Sequence, residues 1–244
     1  NIDGIEWKRD KWKGLASFFL KFSESLAVRY SDTVIADNEA IGDYVINEYS
    51  KKTEIIPYGG NHAFENIQNY NSNISPYDKY FLSVCRIEPE NNVDLILKTF
   101  SNSESNLIFI GNWNISNYSK NLKTTYSRFE NIKLLDPIYD LNTLYFFRKN
   151  CVGYIHGHSA GGTNPSLVEI MHFSKPIFAF NCSFNRKTLE ENGNYFESAS
   201  QLEEMISNDK YLYSGQIFKE IANRRYTWDI VKNQYFKLFD EEHK

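Results

Sequence analysis

Cysteine is scarce in this sequence. The three that occur, Cys85, Cys151 and Cys182, are odd in number and widely spaced, which excludes a disulfide-built scaffold and fits free thiols in a reducing compartment. Long apolar runs are lacking as well. No stretch approaches the roughly 18 residues that cross a bilayer, and no charged-then-apolar leader is present, so a cytoplasmic protein is expected. An excess of positive charge is also missing. Against 31 Asp and Glu stand 27 Lys and Arg, a formal charge of -4, which gives no broad basic face and no reason to expect a nucleic-acid partner. Methionine does not stand at position 1 and occurs only as Met171 and Met205, so the natural N-terminus is expected to be lost. What is plentiful is aromatic: 17 Tyr and 18 Phe, within 41% hydrophobic and 24% charged residues, describe a globular chain with a real core. The length suits one large domain, or one domain and a piece of another.

The apolar pattern switches repeatedly between strand-like runs and helical segments, the signature of βαβ units and an α/β fold with a parallel sheet. Strands are predicted at Thr33 to Asp37, Thr53 to Pro57, Lys79 to Arg86, Leu107 to Gly111, Ile132 to Asp136, Val152 to Gly157, Pro176 to Phe180 and Asn194 to Phe196. Short, continuously apolar strands imply helices on both faces. Helices are predicted at Lys13 to Tyr30, Glu39 to Tyr49, Asn92 to Phe100, Leu141 to Lys149, Pro165 to Phe173, Leu202 to Asn208, Ile217 to Arg225 and Trp228 to Glu241. The stretch from Gly59 to Pro76, rich in Gly and Asn, reads as a linker. It leaves two strands before it, too few for a doubly wound sheet, and six after it.

The run Tyr154-Ile155-His156-Gly157-His158-Ser159-Ala160-Gly161-Gly162-Thr163-Asn164-Pro165-Ser166-Leu167-Val168-Glu169 carries the most information. A strand ends at His156, a glycine-rich turn follows, and a helix starts with Asn164 as N-cap and Pro165 at its first position. Two glycines admit a ligand to the backbone, and a helix start offers unpaired amides and a positive dipole end, together an anion-binding arrangement. An ordinary strand-to-helix turn explains the same features equally well.

This run, with Lys175-Pro176-Ile177 and Phe184-Asn185-Arg186 after it, resembles the donor-site signature of glycosyltransferase family 4, in particular the bacterial rhamnosyltransferase-like members that make surface polysaccharides. The resemblance extends to Asn1-Ile2-Asp3-Gly4-Ile5-Glu6-Trp7-Lys8-Arg9 with Lys11-Trp12, to Pro57-Tyr58-Gly59-Gly60-Asn61-His62-Ala63 and to Arg86-Ile87-Glu88-Pro89-Glu90-Asn91-Asn92. It implies a GT-B-type Rossmann-like doubly wound parallel sheet. Residues 1–60 would be a remnant of the N-terminal acceptor-binding domain, 61–226 the nucleotide-sugar domain, and 227–244 a helix returning across the junction. It implies a hexosyltransferase that draws rhamnose or another hexose from dTDP-rhamnose or a UDP-hexose, with retention and without a metal or other cofactor. The acceptor would be a lipid-linked glycan at the inner face of the cell membrane. With half of the cleft absent, this fragment alone is expected to bind donor but not to transfer.

The resemblance assigns Glu169 to the nucleotide ribose, although Gly161 stands where the wider family has its first glutamate, eight residues earlier. Arg86, at the end of a buried strand, is placed to hold two phosphate oxygens, whereas the family's neighbouring lysine is replaced within Glu90-Asn91-Asn92. Arg86, His158 and Glu169 are the catalytic candidates. Donor-binding candidates are Arg86, Asn91, His156, Gly161, Gly162, Thr163, Asn164, Ser166 and Glu169, with Ile138 and Tyr139 against the base and Arg186 on the sugar side. His156 and His158 either donate to the leaving group or simply brace the loop. Trp7, Lys8, Arg9 and Trp12 read either as a surface for an anionic membrane or pyrophosphate-lipid acceptor, or as a solvated turn. No side chains stand at familiar metal-ligand spacing, so none is expected to hold a metal. Two rivals stand beside this reading, a nucleotide-sugar-binding module without turnover and a sugar-nucleotide epimerase. A Rossmann dehydrogenase is disfavoured, since no Gly-x-Gly-x-x-Gly turn follows an early strand.

Overall fold

The computed structural model describes residues 1–2, 4–9, 12–64, 75–208, 210–211 and 215–242. Lys11 of the basic cluster, Asp3, and much of the linker therefore lie outside the described residues. The chain runs α1 (Leu15–Tyr30), β1 (Ile35–Ala36), α2 (Glu39–Tyr49), β2 (Glu54–Ile55), β3 (Phe81–Val84), α3 (Val93–Ser101), β4 (Leu107–Ile110), α4 (Asn117–Tyr126), β5 (Ile132–Leu135) and α5 (Leu141–Asn150). It continues with β6 (Gly153–His156), α6 (Pro165–Met171), β7 (Ile177–Phe180), α7 (Ser183–Thr188), β8 (Asn194–Phe196), α8 (Ala199–Ile206), α9 (Gly215–Arg225) and α10 (Trp228–Glu242).

Strands β3 to β8 form one parallel sheet in the order β5-β4-β3-β6-β7-β8. The order reverses between β3 and β6, the point at which open α/β sheets bind ligands beyond their carboxyl ends. Alternation explains how continuously apolar strands serve two cores. Leu82, Ile108, Ile110, Tyr154, Ile177 and Ala179 face one side, where α5, α6 and α9 cover them with Phe147, Met171 and Phe218. Phe81, Leu107, Phe109, Ile155 and Phe178 face the other, under α3, α4 and α8 with Phe100, Leu122 and Leu202.

The first unit is smaller. β1 and β2 pair in parallel, with Ile2 bridging to Ala36, and a cluster of Val28, Val34 and Val45 lies beneath α1 and α2. It docks on the larger sheet through polar contacts. Asn38 Nδ2 donates to Thr188 Oγ1 at 3.1 Å, and Arg225 pairs with both Glu39 and, at 3.0 Å, Glu190. Helix α10 comes back to it, Gln234 Nε2 donating to Ile55 O at 3.3 Å.

Two helices escape the sequence pattern. Helix α4 buries little beyond Leu122 and Tyr126 and is held instead by a reciprocal cap, Ser119 N to Ser116 Oγ at 3.1 Å and Ser116 N to Ser119 Oγ at 3.0 Å. Helix α7 has six residues, too short for a periodic signal.

Candidate functional site

A cavity of about 490 Å³ opens at the carboxyl ends of β3, β4 and β5 and is closed on one side by the start of α6. Its position follows from the topology, because the loops after β3, β4, β5 and β6 converge there. Arg86, two residues beyond β3, lines it with 62% of its side chain exposed and its guanidinium 3.7 Å from Glu88. Ile138 and Tyr139 line it from the β5–α5 loop, Tyr139 being 87% exposed. Glu88, Asn91, Asn112, His158, Asn164 and Ser166 also belong to its polar lining. Arg86, Asn91, His158, Asn164, Ser166, Ile138 and Tyr139, all candidates from the sequence, thus line one cavity.

The protonation of His158 follows from its neighbours. Asn91 Nδ2 donates to Arg86 O at 2.7 Å, which leaves Asn91 Oδ1 as an acceptor 2.7 Å from His158 Nδ1. The ring proton therefore sits on Nδ1, and Nε2 keeps its lone pair. Burial pushes His158 down to about 4, with the Arg9 and Arg86 guanidiniums acting in the same direction. In this state Nδ1 donates to Asn91 and Nε2 is an acceptor, so of the two roles left open for His158 the geometry carries the bracing of the loop. His156 is corrected. It is buried inside β6, stacked on Tyr154 at 6.2 Å, absent from the cavity lining and held well below 6.5, chiefly by burial.

The glycine loop is also not open as expected. A Cβ on Gly162 would meet Asp37 Oδ1 at 1.8 Å, and Thr163 N donates to Asp37 Oδ2 at 3.0 Å while Thr163 Oγ1 donates to Asp37 O. Gly162 and Thr163 thus admit Asp37 of the first unit and not a ligand. Gly161, at φ +127°, packs on His158, whose Nε2 a Cβ would meet at 3.0 Å. The helix start is likewise satisfied. Asn164 Oδ1 accepts from Ser166 N at 3.0 Å and from Ser166 Oγ at 2.8 Å, and Asn164 O takes Leu167 N. The cap that the sequence announces consumes the amides that an anion would need.

Glu169 does not line the cavity. It lies one turn along α6 from Pro165 and Ser166, with Oε2 paired to the buried Arg148 of α5 and Oε1 3.1 Å from His62 Nε2. Arg186 is displaced from its expected place on the sugar side. Helix α7 turns it to Asn181 Oδ1 at 2.6 Å, Glu191 at 2.6 Å and the Tyr195 ring at 4.3 Å.

In the basic N-terminal cluster Trp7 and Arg9 are partly buried, whereas Lys8 and Trp12 stay exposed. Trp7 Nε1 donates to Tyr44 OH at 3.1 Å with Lys8 and Lys21 over its ring, and Trp12 Nε1 donates to Glu6 at 3.0 Å. Arg9 pairs with Glu6 at 3.1 Å and turns toward Gly161, so it is not a surface cation. Asp37, Arg148 and His62 were not singled out from sequence. Arg148 did carry a signal, a cation four residues after Leu144 on the apolar face of α5. Asp37 carried none. Among the described residues no three His, Cys, Asp or Glu side chains gather as a metal site, and no helix is long and apolar enough to cross a membrane.

Residues 65–210, more than half of the chain, match the model of a family described as "Glycosyl transferases group 1", and residues 1–61 match "Domain of unknown function (DUF1972)". No curated protein matches the sequence. Among solved structures, a sucrose-phosphate synthase from Thermosynechococcus elongatus superposes with a TM-score of 0.79 at 13% identity, over 98% of this chain and 65% of that one. Anabaena Alr3699/HepE in complex with UDP gives 0.75 at 16% identity, over 98% and 71%. TarM gives 0.70 at 14%, over 98% and 49%. At such identities the likeness is one of fold, and the chain spans less than two thirds of the first and the last of these.

Proposed function

The chain belongs to the glycosyl transferases group 1 family, and from the cavity at its sheet edge we propose that it binds the nucleoside-diphosphate sugar of a glycosyltransferase reaction. One observation carries this reading. An exposed guanidinium, Arg86, lines a cavity of about 490 Å³ at the switch point of the sheet, with the Glu88 carboxylate 3.7 Å away and the neutral Asn91, Asn112, Asn164 and Ser166 in the same lining. That volume suits a nucleotide-sized ligand. The structurally similar Anabaena protein was crystallised with UDP, which supports a nucleoside diphosphate as the ligand here.

In this reading Arg86 binds the diphosphate through charge-assisted hydrogen bonds and stabilises the charge that develops as the sugar leaves. Tyr139 and Ile138 offer an apolar rest for the base. The resemblance supports Glu169 as the acceptor for the ribose, one turn along α6 from the Pro165 and Ser166 that line the cavity. Asn91, Asn164 and Ser166 supply neutral contacts, and His158 Nε2 accepts from a sugar hydroxyl. No strong base is needed if donor and acceptor are held in one cleft. The resemblance to the rhamnosyltransferase-like members of family 4 supports dTDP-rhamnose or a UDP-hexose as donor, retention, and a lipid-linked glycan acceptor at the inner face of the cell membrane. A thermal-shift screen of UDP, dTDP, GDP and their sugars tests the reading. A ligand that binds the native state raises the melting temperature by mass action, and a protein unmoved by all of them at millimolar concentration refutes it.

A further inference from the structure

The turn between the two units carries chemistry that the donor site does not use. His62 sits on a single 3-10 turn, Asn61–Ala63, with 39% of its side chain exposed. Its Nδ1 lies 3.0 Å from Trp228 Nε1 and its Nε2 3.1 Å from Glu169 Oε1. An indole N–H donates and never accepts, so Nδ1 is the acceptor. The ring proton is therefore on Nε2, aimed at the carboxylate. The same turn is locked on both sides. Asn61 Oδ1 accepts from Trp228 N at 2.9 Å, Gly60 N donates to Tyr226 O at 2.8 Å, and a Cβ on Gly60 would lie 2.6 Å from Val168 O and 2.8 Å from Glu169 N. The turn therefore presses directly on the helix that carries Glu169.

We infer that His62 is a positioning residue for the ribose of the nucleotide, holding the Glu169 carboxylate in one plane, with Trp228 fixing the tautomer that lets it do so. This rests on the reading of Glu169 as the ribose acceptor. The terminal torsion of a glutamate is soft and broad. Arg148 holds one oxygen, and a single partner leaves the other free to swing. With His62 on Oε1 and Arg148 on Oε2 the plane is set, and each oxygen keeps a lone pair for one ribose hydroxyl. His62 thereby joins both chain segments that pass between the units, at residues 59–63 and 226–228, to the nucleotide.

The test is a cycle between the protein and the ligand. Whichever of UDP and dTDP the wild type binds more tightly is titrated by calorimetry beside its 3′-deoxy counterpart, into wild type, His62→Ala and His62→Gln. In the wild type, loss of the 3′-hydroxyl should weaken binding about tenfold, the lower end for a hydrogen bond to a charged acceptor. In His62→Ala the parent diphosphate should bind about tenfold more weakly, while the further penalty for removing the hydroxyl shrinks below about threefold. His62→Gln, whose amide N–H can reach where Nε2–H did, should recover most of both. Loss of packing alone would weaken both ligands by one factor and leave the 3′-hydroxyl penalty intact, and that result overturns the inference while the ribose reading stands. So does a glutamine variant no better than alanine. A wild type indifferent to the 3′-hydroxyl removes the ribose reading itself and the inference with it.

Discussion

Acidification should destabilise this protein well before its carboxylates titrate, and His158 provides the measure. Its folded-state value lies near 4 against an ordinary 6.5, chiefly because burial disfavours the imidazolium. Between those values the unfolded chain takes up a proton that the folded chain refuses. The stabilisation is therefore complete above about pH 6.5 and is lost as the pH falls toward 4. At pH 5, about 1.5 units below the unfolded value, the loss is about 2 kcal/mol at roughly 1.4 kcal/mol per unit. His156, depressed in the same direction by its own burial, adds to the decline. The clean observable is a difference between two proteins. Urea unfolding of wild type and His158→Gln at pH 7 and pH 5 should show the wild type losing about 2 kcal/mol more than the variant across that interval. His156 remains in both and largely cancels. An equal loss in both proteins would mean that His158 is protonated in the fold, and the tautomer drawn from Asn91 would fall with it.

Arg86→Ala should weaken a nucleoside diphosphate about ten- to a hundredfold, since one charge-assisted contact of roughly 1.5 to 3 kcal/mol is removed, while the bare nucleoside is scarcely affected. Calorimetry with both ligands checks this, and equal weakening of the two contradicts a phosphate role. Glu169→Gln should lower the unfolding free energy by about 3 kcal/mol, because it leaves the guanidinium of Arg148, only 3% exposed, without its counter-charge. Urea titration reads it, and an unchanged midpoint would show that the pair contributes nothing. Gly162→Ala forces a Cβ into the space held by the Asp37 carboxylate. The contact to Thr163 N should break at a cost of about 1 to 3 kcal/mol, with faster amide exchange at Thr163 as the local signature.

The sequence by itself settled which segments become strands and most of the helices, because these depend on neighbours a few residues away. Apolar runs such as Leu107 to Ile110 have one outcome when helices cover both faces, and the Asn164-Pro165 start of α6 is a local cap. It also placed Arg86, since a residue just past a buried parallel strand must emerge at the carboxyl edge, and Ile138 and Tyr139 for the same reason. It failed at α4, where the stabilising feature is a cap and not a stripe of apolar residues.

What only the tertiary structure decided is which polar group meets which. Glu169 finds His62 from 107 residues away, and the Thr163 amide finds Asp37 across 126. His158 becomes a neutral acceptor only because Asn91, from 67 residues earlier, turns its amide oxygen to Nδ1 where burial disfavours the imidazolium. A residue's type announces that it can donate, accept or carry charge. Partners and burial arise when distant strand ends and loops converge, and no local periodicity encodes that convergence. The glycine pair shows the consequence: Gly161 and Gly162 announce a close approach in the sequence, and the fold alone determines that what approaches Gly162 is Asp37 of the first unit.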